Sequence, residues 1–427
     1  MTANPAMLDQ SRDATPLPRA SGFDSTLALL AEGYAFIPNR CRALGTDLFA
    51  TRLMLSPVLC MSGAEAARHF YDDHRFTRRH ALPPTAFALI QDHGSVMVMD
   101  GEAHRRRKAM FLSLVGHEAL RRLADLTVGH WRAAAARWAR QDAVILLDEA
   151  HAVLTAAISE WVGLPLDSGE TRDRATEFAA MIAGTGAVGP RNWRGHLYRA
   201  RTERWARRVI AEIRDGRRAV PEGAARTIAE HRDLQGRLLD VKTAGVELIN
   251  VLRPTVANAR YVVFAAMALR DNPACREAQR GADPGALARF TFEVRRVYPF
   301  IPFIGGRVRE PFTWRGHAFQ AGAWVLMDLY GTNHDPRLWP EPDRFDPERF
   351  RDAPPGAFDL VSHGAGSAAT GHRCPGEGIT QILVETLTDQ LANGMTYTIP
   401  PQDLTLDLAN IPARPRSGLV LRDVRPV

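Results

Sequence analysis

Gly371-His-Arg-Cys-Pro-Gly-Glu377 decides how this chain is read. It sets Cys374 between a glycine-rich loop, Ser362-His-Gly-Ala-Gly-Ser-Ala-Ala-Thr370, and a stretch predicted as helix over about 375–393. A helix start carries unpaired backbone N–H groups and the positive end of the helix dipole. Both stabilise a thiolate. Pro375 suits the first helical position, where no N–H is needed, and Gly376 lets a large flat group approach the backbone. A thiolate held this way is a good axial ligand for haem iron. Taken alone, the fragment reads equally well as a buried, inert cysteine at a loop–helix junction.

Three upstream features narrow the choice. Glu293-Val-Arg-Arg296 places Glu293 and Arg296 at i, i+3, able to pair on one helical face. Trp339-Pro-Glu-Pro-Asp-Arg-Phe-Asp-Pro-Glu-Arg-Phe350 is a proline-rich meander, preceded by Asn333-His-Asp-Pro336. Around them the hydrophobic periodicity predicts helices over 64–69, 102–114, 118–162, 170–183, 194–215, 236–270 (interrupted by Pro254) and 284–298. Short strands are predicted from Ala35-Phe-Ile-Pro38, Asp47–Leu55, residues 304–328 with a turn at Arg315-Gly316, and the tail. The class is mainly α with a small β region. Residues 1–20 read as a flexible N-terminal arm and 21–427 as a single domain.

Composition excludes several classes. The chain has 427 residues, 45% hydrophobic and 24% charged, which is ordinary for a globular protein that buries a large core. Net charge is +6 and the pI about 9.4, but 54 basic residues are interspersed with 48 acidic ones. Lys108 and Lys242 are the only lysines, a pattern of codon usage and not of a phosphate-binding patch, so no nucleic-acid partner is expected. The run Arg105-Arg-Arg-Lys108 needs a local explanation. Cys41, Cys60, Cys275 and Cys374 show neither CxxC spacing nor a disulfide pattern, which points to reduced thiols and a cytoplasmic protein. No stretch reaches the roughly 20 apolar residues of a membrane span.

The pair Glu293/Arg296, the meander and the cysteine loop, in that order, resemble the cytochrome P-450 superfamily over nearly the whole chain from about residue 35. The resemblance implies a single triangular haem-thiolate fold and haem b, with Cys374 as the ligand of its iron. It implies that Glu293 and Arg296 form a structural ion pair locking the meander near Arg344 or Arg349. The helix bearing His104 and Lys108 approaches the haem propionates in this superfamily, with Arg78 a further candidate. The loop departs from the usual pattern: Ser367 stands where an aromatic residue is usual, His372 at the usual basic position and Thr370 in place of a glycine.

The central helix departs further. Glu247-Leu-Ile-Asn-Val-Leu-Arg-Pro-Thr-Val-Ala257 carries Arg253-Pro254 where family members hold an acid beside a threonine. Arg253 lies in an apolar run with no acid three or four positions away. A buried guanidinium is costly unless satisfied, and a fatty-acid carboxylate matches its bidentate geometry. A partner acid from another helix, or an outlet to solvent, is the plain alternative. Pro254 removes a helix hydrogen bond and kinks the chain. With Met99-Asp-Gly-Glu-Ala-His104, Gly186-Ala-Val-Gly-Pro-Arg191 and the cysteine loop, this run resembles the bacterial fatty-acid peroxygenase branch, some of whose members decarboxylate. The resemblance implies oxidation by hydrogen peroxide at Cα or Cβ, with Arg253 and Pro254 at the substrate and the bound carboxylate acting as acid and base. Met97 stands where branch members carry Gln or His beside the haem, which bears on hydroxylation against decarboxylation to a terminal alkene; its thioether also suits a plain apolar wall. Phe300 is expected along the acyl channel or in the core. A redox partner is not required on this reading. A reductase-dependent monooxygenase and a non-catalytic haem or fatty-acid sensor are the more distant alternatives.

Overall fold

The computed structural model describes residues 15–83, 89, 94–281 and 283–427. Among these residues ten strands form three sheets: β1 Leu48–Leu53, β2 Ser56–Met61, β3 Phe76–Thr77, β4 Val144–Ile145, β5 Phe303–Val308, β6 Phe312–Trp314, β7 His317–Phe319, β8 Trp324–Asp328, β9 Met395–Thr398 and β10 Val420–Pro426. The largest runs β1-β2-β8-β5-β3, with β2 and β8 parallel and the other neighbours antiparallel. β8 is buried along its whole length. Strand periodicity sends Trp324 and Leu326 to a cluster with Phe36, Phe49 and Val58, and Val325 and Met327 to one with Phe70, Phe76 and Trp314. The remaining mass is helical, and its apolar faces converge on one large core around the helices Val241–Ala257 and Ala259–Asp271.

Most predicted elements are present, with instructive differences. Ala35-Phe-Ile-Pro38 is not a strand: it leads into the helix Phe36–Leu44, where Arg40 lies over the Phe36 ring one turn away and pairs with Glu32. A short apolar run carries no period that separates strand from helix. Residues 118–162 form two helices, His117–Trp138 and Leu146–Trp161, because β4 intervenes to pair with β10. The long central helix breaks at Asn258, not at Pro254; the Asn258 amide donates to the Thr255 carbonyl there. Pro375 is not the first helical residue: it lies in the turn before the helix Glu377–Ala392, whose N-cap is Gly376. At the predicted turn, Arg315 and Gly316 both have positive φ, as a tight β6–β7 hairpin requires. Residues 1–14 of the expected arm lie outside the described residues, while Thr15–Ala20 is pinned by bonds from Thr15 to Gly316 and from Ala20 to Ala50. Among the described residues no helix is long and apolar enough to cross a membrane.

Candidate active site: a cysteine loop and a buried arginine

The Cys374 N–H donates to the His363 carbonyl at 2.9 Å, closing the glycine-rich loop on itself. Lys108, buried one turn beyond His104 on the helix Gly101–Ser113, donates to the carbonyls of Gly371 and Arg373 and so grips the loop just before the cysteine. Burial pushes the Cys374 thiol up; the Gly376 N–H, Lys108 and Arg295 oppose it. The helix start is therefore outweighed by desolvation in the protein alone, and a coordinated metal cation deprotonates a thiol outright.

The surroundings fit an iron porphyrin with carboxylate side arms. Arg78 is 6% exposed, lies 4.1 Å over the Phe70 ring, and donates one N–H to the Phe70 carbonyl. Its Nε and Nη1 are buried with no acceptor among the described residues, as expected of donors awaiting an anion. A side chain at Gly306 would stand 2.9 Å from Arg78 Nη1, so only glycine leaves room. His104 stacks on His372 at 4.2 Å, and His372 lies 3.7 Å from Asp100. Burial, with His372 and Lys108 adding to it, holds His104 at about 3, and burial lowers Lys108 to about 8. Lys108 and His372 thus lie at the cysteine loop, with His104 stacked on His372.

Arg253 is 6% exposed on the helix Val241–Ala257 and donates from Nη1 to the Leu89 carbonyl at 2.7 Å. Burial, then the Arg199 guanidinium, depresses it to about 9. Arg199 reaches the same carbonyl at 3.5 Å while paired with Glu203 at 2.7 Å. Pro254, the next residue, is exposed. The Thr255 hydroxyl donates to the Val251 carbonyl one turn back. Glu247, fully buried on the same helix, pairs with Arg107 at 2.6 Å and accepts the Val96 N–H at 2.9 Å, fixing the 3-10 turn Val96–Val98 that carries Met97. Met97 packs against the main core, half-buried. Phe300 stacks on Tyr261 at 4.5 Å and faces His363 at 6.1 Å, an aromatic stack beside the cysteine loop.

Glu293 and Arg296 are fully buried and doubly bonded at 2.7 Å. Arg296 also donates to the carbonyls of Asn333, Pro342 and Arg344, and Glu293 accepts from Asp346 N–H and from Arg349. Sequence reasoning passed over the residue just before Arg296. Arg295, 2% exposed, turns to the other side and donates to Gln381 at 2.8 Å, to His363 at 3.3 Å and to Glu377. Glu377 also receives two bonds from Arg373, at 2.6 and 3.0 Å. The i, i+4 spacing of Arg373 and Glu377 across the cysteine was the available signal.

A cysteine loop opening a helix, a buried Glu–Arg lock on a meander and a helical body define a haem-thiolate oxidoreductase fold. The family model for cytochrome P450 matches residues 287–388. Three solved structures are similar over their full length. A single-residue variant of P450SP alpha (CYP152B1) is 42% identical, covering 95% of this chain and 100% of that one, with a TM-score of 0.92. P450EX alpha (CYP152N1), solved with myristic acid, is 36% identical over 97% and 100%, at 0.92. A single-residue variant of cytochrome P450 OleT, solved with arachidonic acid, is 34% identical over 97% and 99%, at 0.94. Rhazimal synthase of Alstonia scholaris matches a short stretch, 39% identical over 98 residues, 21% of this chain and 19% of that protein. The chain belongs to the cytochrome P450 family, in the CYP152 branch of fatty-acid peroxygenases and decarboxylases. Its cofactor is haem b with a cysteine thiolate as axial ligand.

Proposed function

We propose that this protein oxidises fatty acids next to their carboxylate with hydrogen peroxide, Cys374 being the thiolate ligand and Arg253 the anchor of the substrate. The observation that carries the reading is Arg253 itself, a guanidinium buried in the central helix of a chain whose relatives were solved with myristic and arachidonic acids. Burial disfavours the cationic form, and an anion brought to it is attracted through a medium that screens little. Arg78, His104 and Lys108 would hold the haem, whose iron supplies the oxidising chemistry when bound. Bound at Arg253, the carboxylate is placed to accept a proton from one oxygen of hydrogen peroxide and return it to the other as the O–O bond breaks. The chain offers no acid–alcohol pair for that transfer: Arg253-Pro254 occupies its place, and Thr255 is bonded back into the helix. An anchored carboxylate exposes Cα and Cβ, which gives α- and β-hydroxy acids. Decarboxylation to a terminal alkene is the second reading; Met97, whose thioether offers no hydrogen-bond donor, bears on the balance between the two.

The test is to incubate the haem-loaded protein with a long saturated fatty acid and hydrogen peroxide, without reductase, and identify products by mass spectrometry. Hydroxy acid, or alkene one carbon shorter, is expected. Product appearing only when an electron-transfer partner is added would reject the peroxide reading.

A further inference from the structure

We propose that the cluster Arg373–Glu377–Arg295 tunes the donor strength of the Cys374 thiolate and thereby the reduction midpoint of the haem. The inference rests on Cys374 as the axial ligand and assigns the charges behind it a role of their own. Glu377 begins the helix that follows the cysteine and takes bonds from both guanidiniums, Arg373 at 2.6 and 3.0 Å and Arg295 by a short contact. Arg295 reaches onward to His363, whose carbonyl receives the Cys374 N–H at 2.9 Å. His363 is fixed in turn by Thr380 at 3.1 Å.

The cluster therefore brackets the cysteine in sequence and contacts His363, which accepts the Cys374 N–H. Two cations on one anion leave a net positive charge at the cysteine loop, partly sheltered from water: the Arg295 side chain is 2% exposed, Glu377 18% and Arg373 20%. Reduction of the bound haem would add one negative charge, so each charge in the cluster would bias it with a predictable sign. A mere staple would need the same bonds but not the same charges. Glu293–Arg296 already supplies the lock on the meander, so a second ion-pair cluster directed at the cysteine loop calls for a different role.

The experiment is spectroelectrochemistry of the haem-loaded protein, with the ferrous carbon-monoxide Soret band as a second readout of thiolate donation. Glu377→Gln is near-isosteric and removes the anion: the midpoint is expected to rise, shifting the reduction equilibrium about tenfold in favour of ferrous, or about 59 mV for a one-electron couple. Arg295→Gln removes a cation and is expected to shift it by a similar factor in the opposite direction. Gln381→Leu breaks a bond to Arg295 without changing charge and is expected to leave the midpoint in place. Should Glu377→Gln fail to hold haem, Arg373→Gln decides, with the same sign expected as for Arg295→Gln. Shifts of one common sign, or none beyond that of Gln381→Leu, would overturn the proposal and leave the cluster a staple. Cys374→Ala separates the two assignments: if the thiolate signature survives it, the ligand assignment fails, whatever the cluster does.

Discussion

Replacing Arg253 by methionine separates substrate anchoring from folding. The guanidinium is depressed from 12.5 to about 9. At 1.36 kcal/mol per pKa unit that is a bias of about 5 kcal/mol against the charged form. Arg253→Met removes the burdened charge and its repulsion with Arg199, and the Leu89 carbonyl keeps the Arg199 donor. The melting temperature of the haem-loaded protein, measured on the same samples, reports folding separately. Binding is expected to weaken. Each charge-assisted hydrogen bond contributes about 1.5–3 kcal/mol, so losing a two-pronged grip costs at least about 3 kcal/mol. Since 1.4 kcal/mol is tenfold, affinity for the free acid is expected to fall by at least about a hundredfold, read from the substrate-induced Soret shift. Peroxide-driven turnover should fall at least as far, because the same carboxylate handles the proton. The methyl ester gives the complementary control: in the wild type it should bind weakly and turn over poorly, and Arg253→Met should barely change it. If the variant oxidises the free acid within tenfold of wild type, or the ester matches the acid in wild type, the anchoring argument is wrong.

Three further outcomes follow from buried charges. Asp328 is raised by burial from 3.8 to about 7 although Ser62 and the Gly331 N–H donate to it; its folded pKa lies above its unfolded one, so the stability it contributes is present below about 4 and lost as pH rises through 7. Asp328→Asn should gain on wild type by about 1.4 kcal/mol per pH unit across that window in denaturant titrations, and a constant difference would contradict it. His151 is fully enclosed in the helix Leu146–Trp161 and held by burial at about 3, so its contribution is present above about 6.5 and lost as pH falls. His151→Leu should flatten the acid limb of the stability curve between those values, and an unchanged limb would show that other groups set it. Arg107→Met strands the fully buried Glu247 and is expected to cost about 3–5 kcal/mol; adding Glu247→Leu should recover most of it in thermal melts, and additive losses would exclude the pairing.

The chain announces chemistry that is local and conceals chemistry that is assembled. Cys374, the Glu293/Arg296 spacing and Arg253 in its apolar run are legible because each is anomalous within a few residues of itself. Arg295 and Glu377 are not, since each passes for an ordinary charge on a helix face until the fold joins them. The run Arg105-Arg-Arg-Lys108 shows the physical reason. On a helix of 3.6 residues per turn, consecutive side chains point about 100° apart. Four adjacent cations therefore cannot form one patch. Arg105 is exposed; Arg106 donates to the Arg232 carbonyl; Arg107 is buried against Glu247; Lys108 is buried against the cysteine loop. A stripe meant for phosphates would space its cations three or four residues apart. The contiguity that makes this run look like a nucleic-acid signal is what disperses it, and one of its four charges ends on the loop that presents Cys374, more than 260 residues away in the chain.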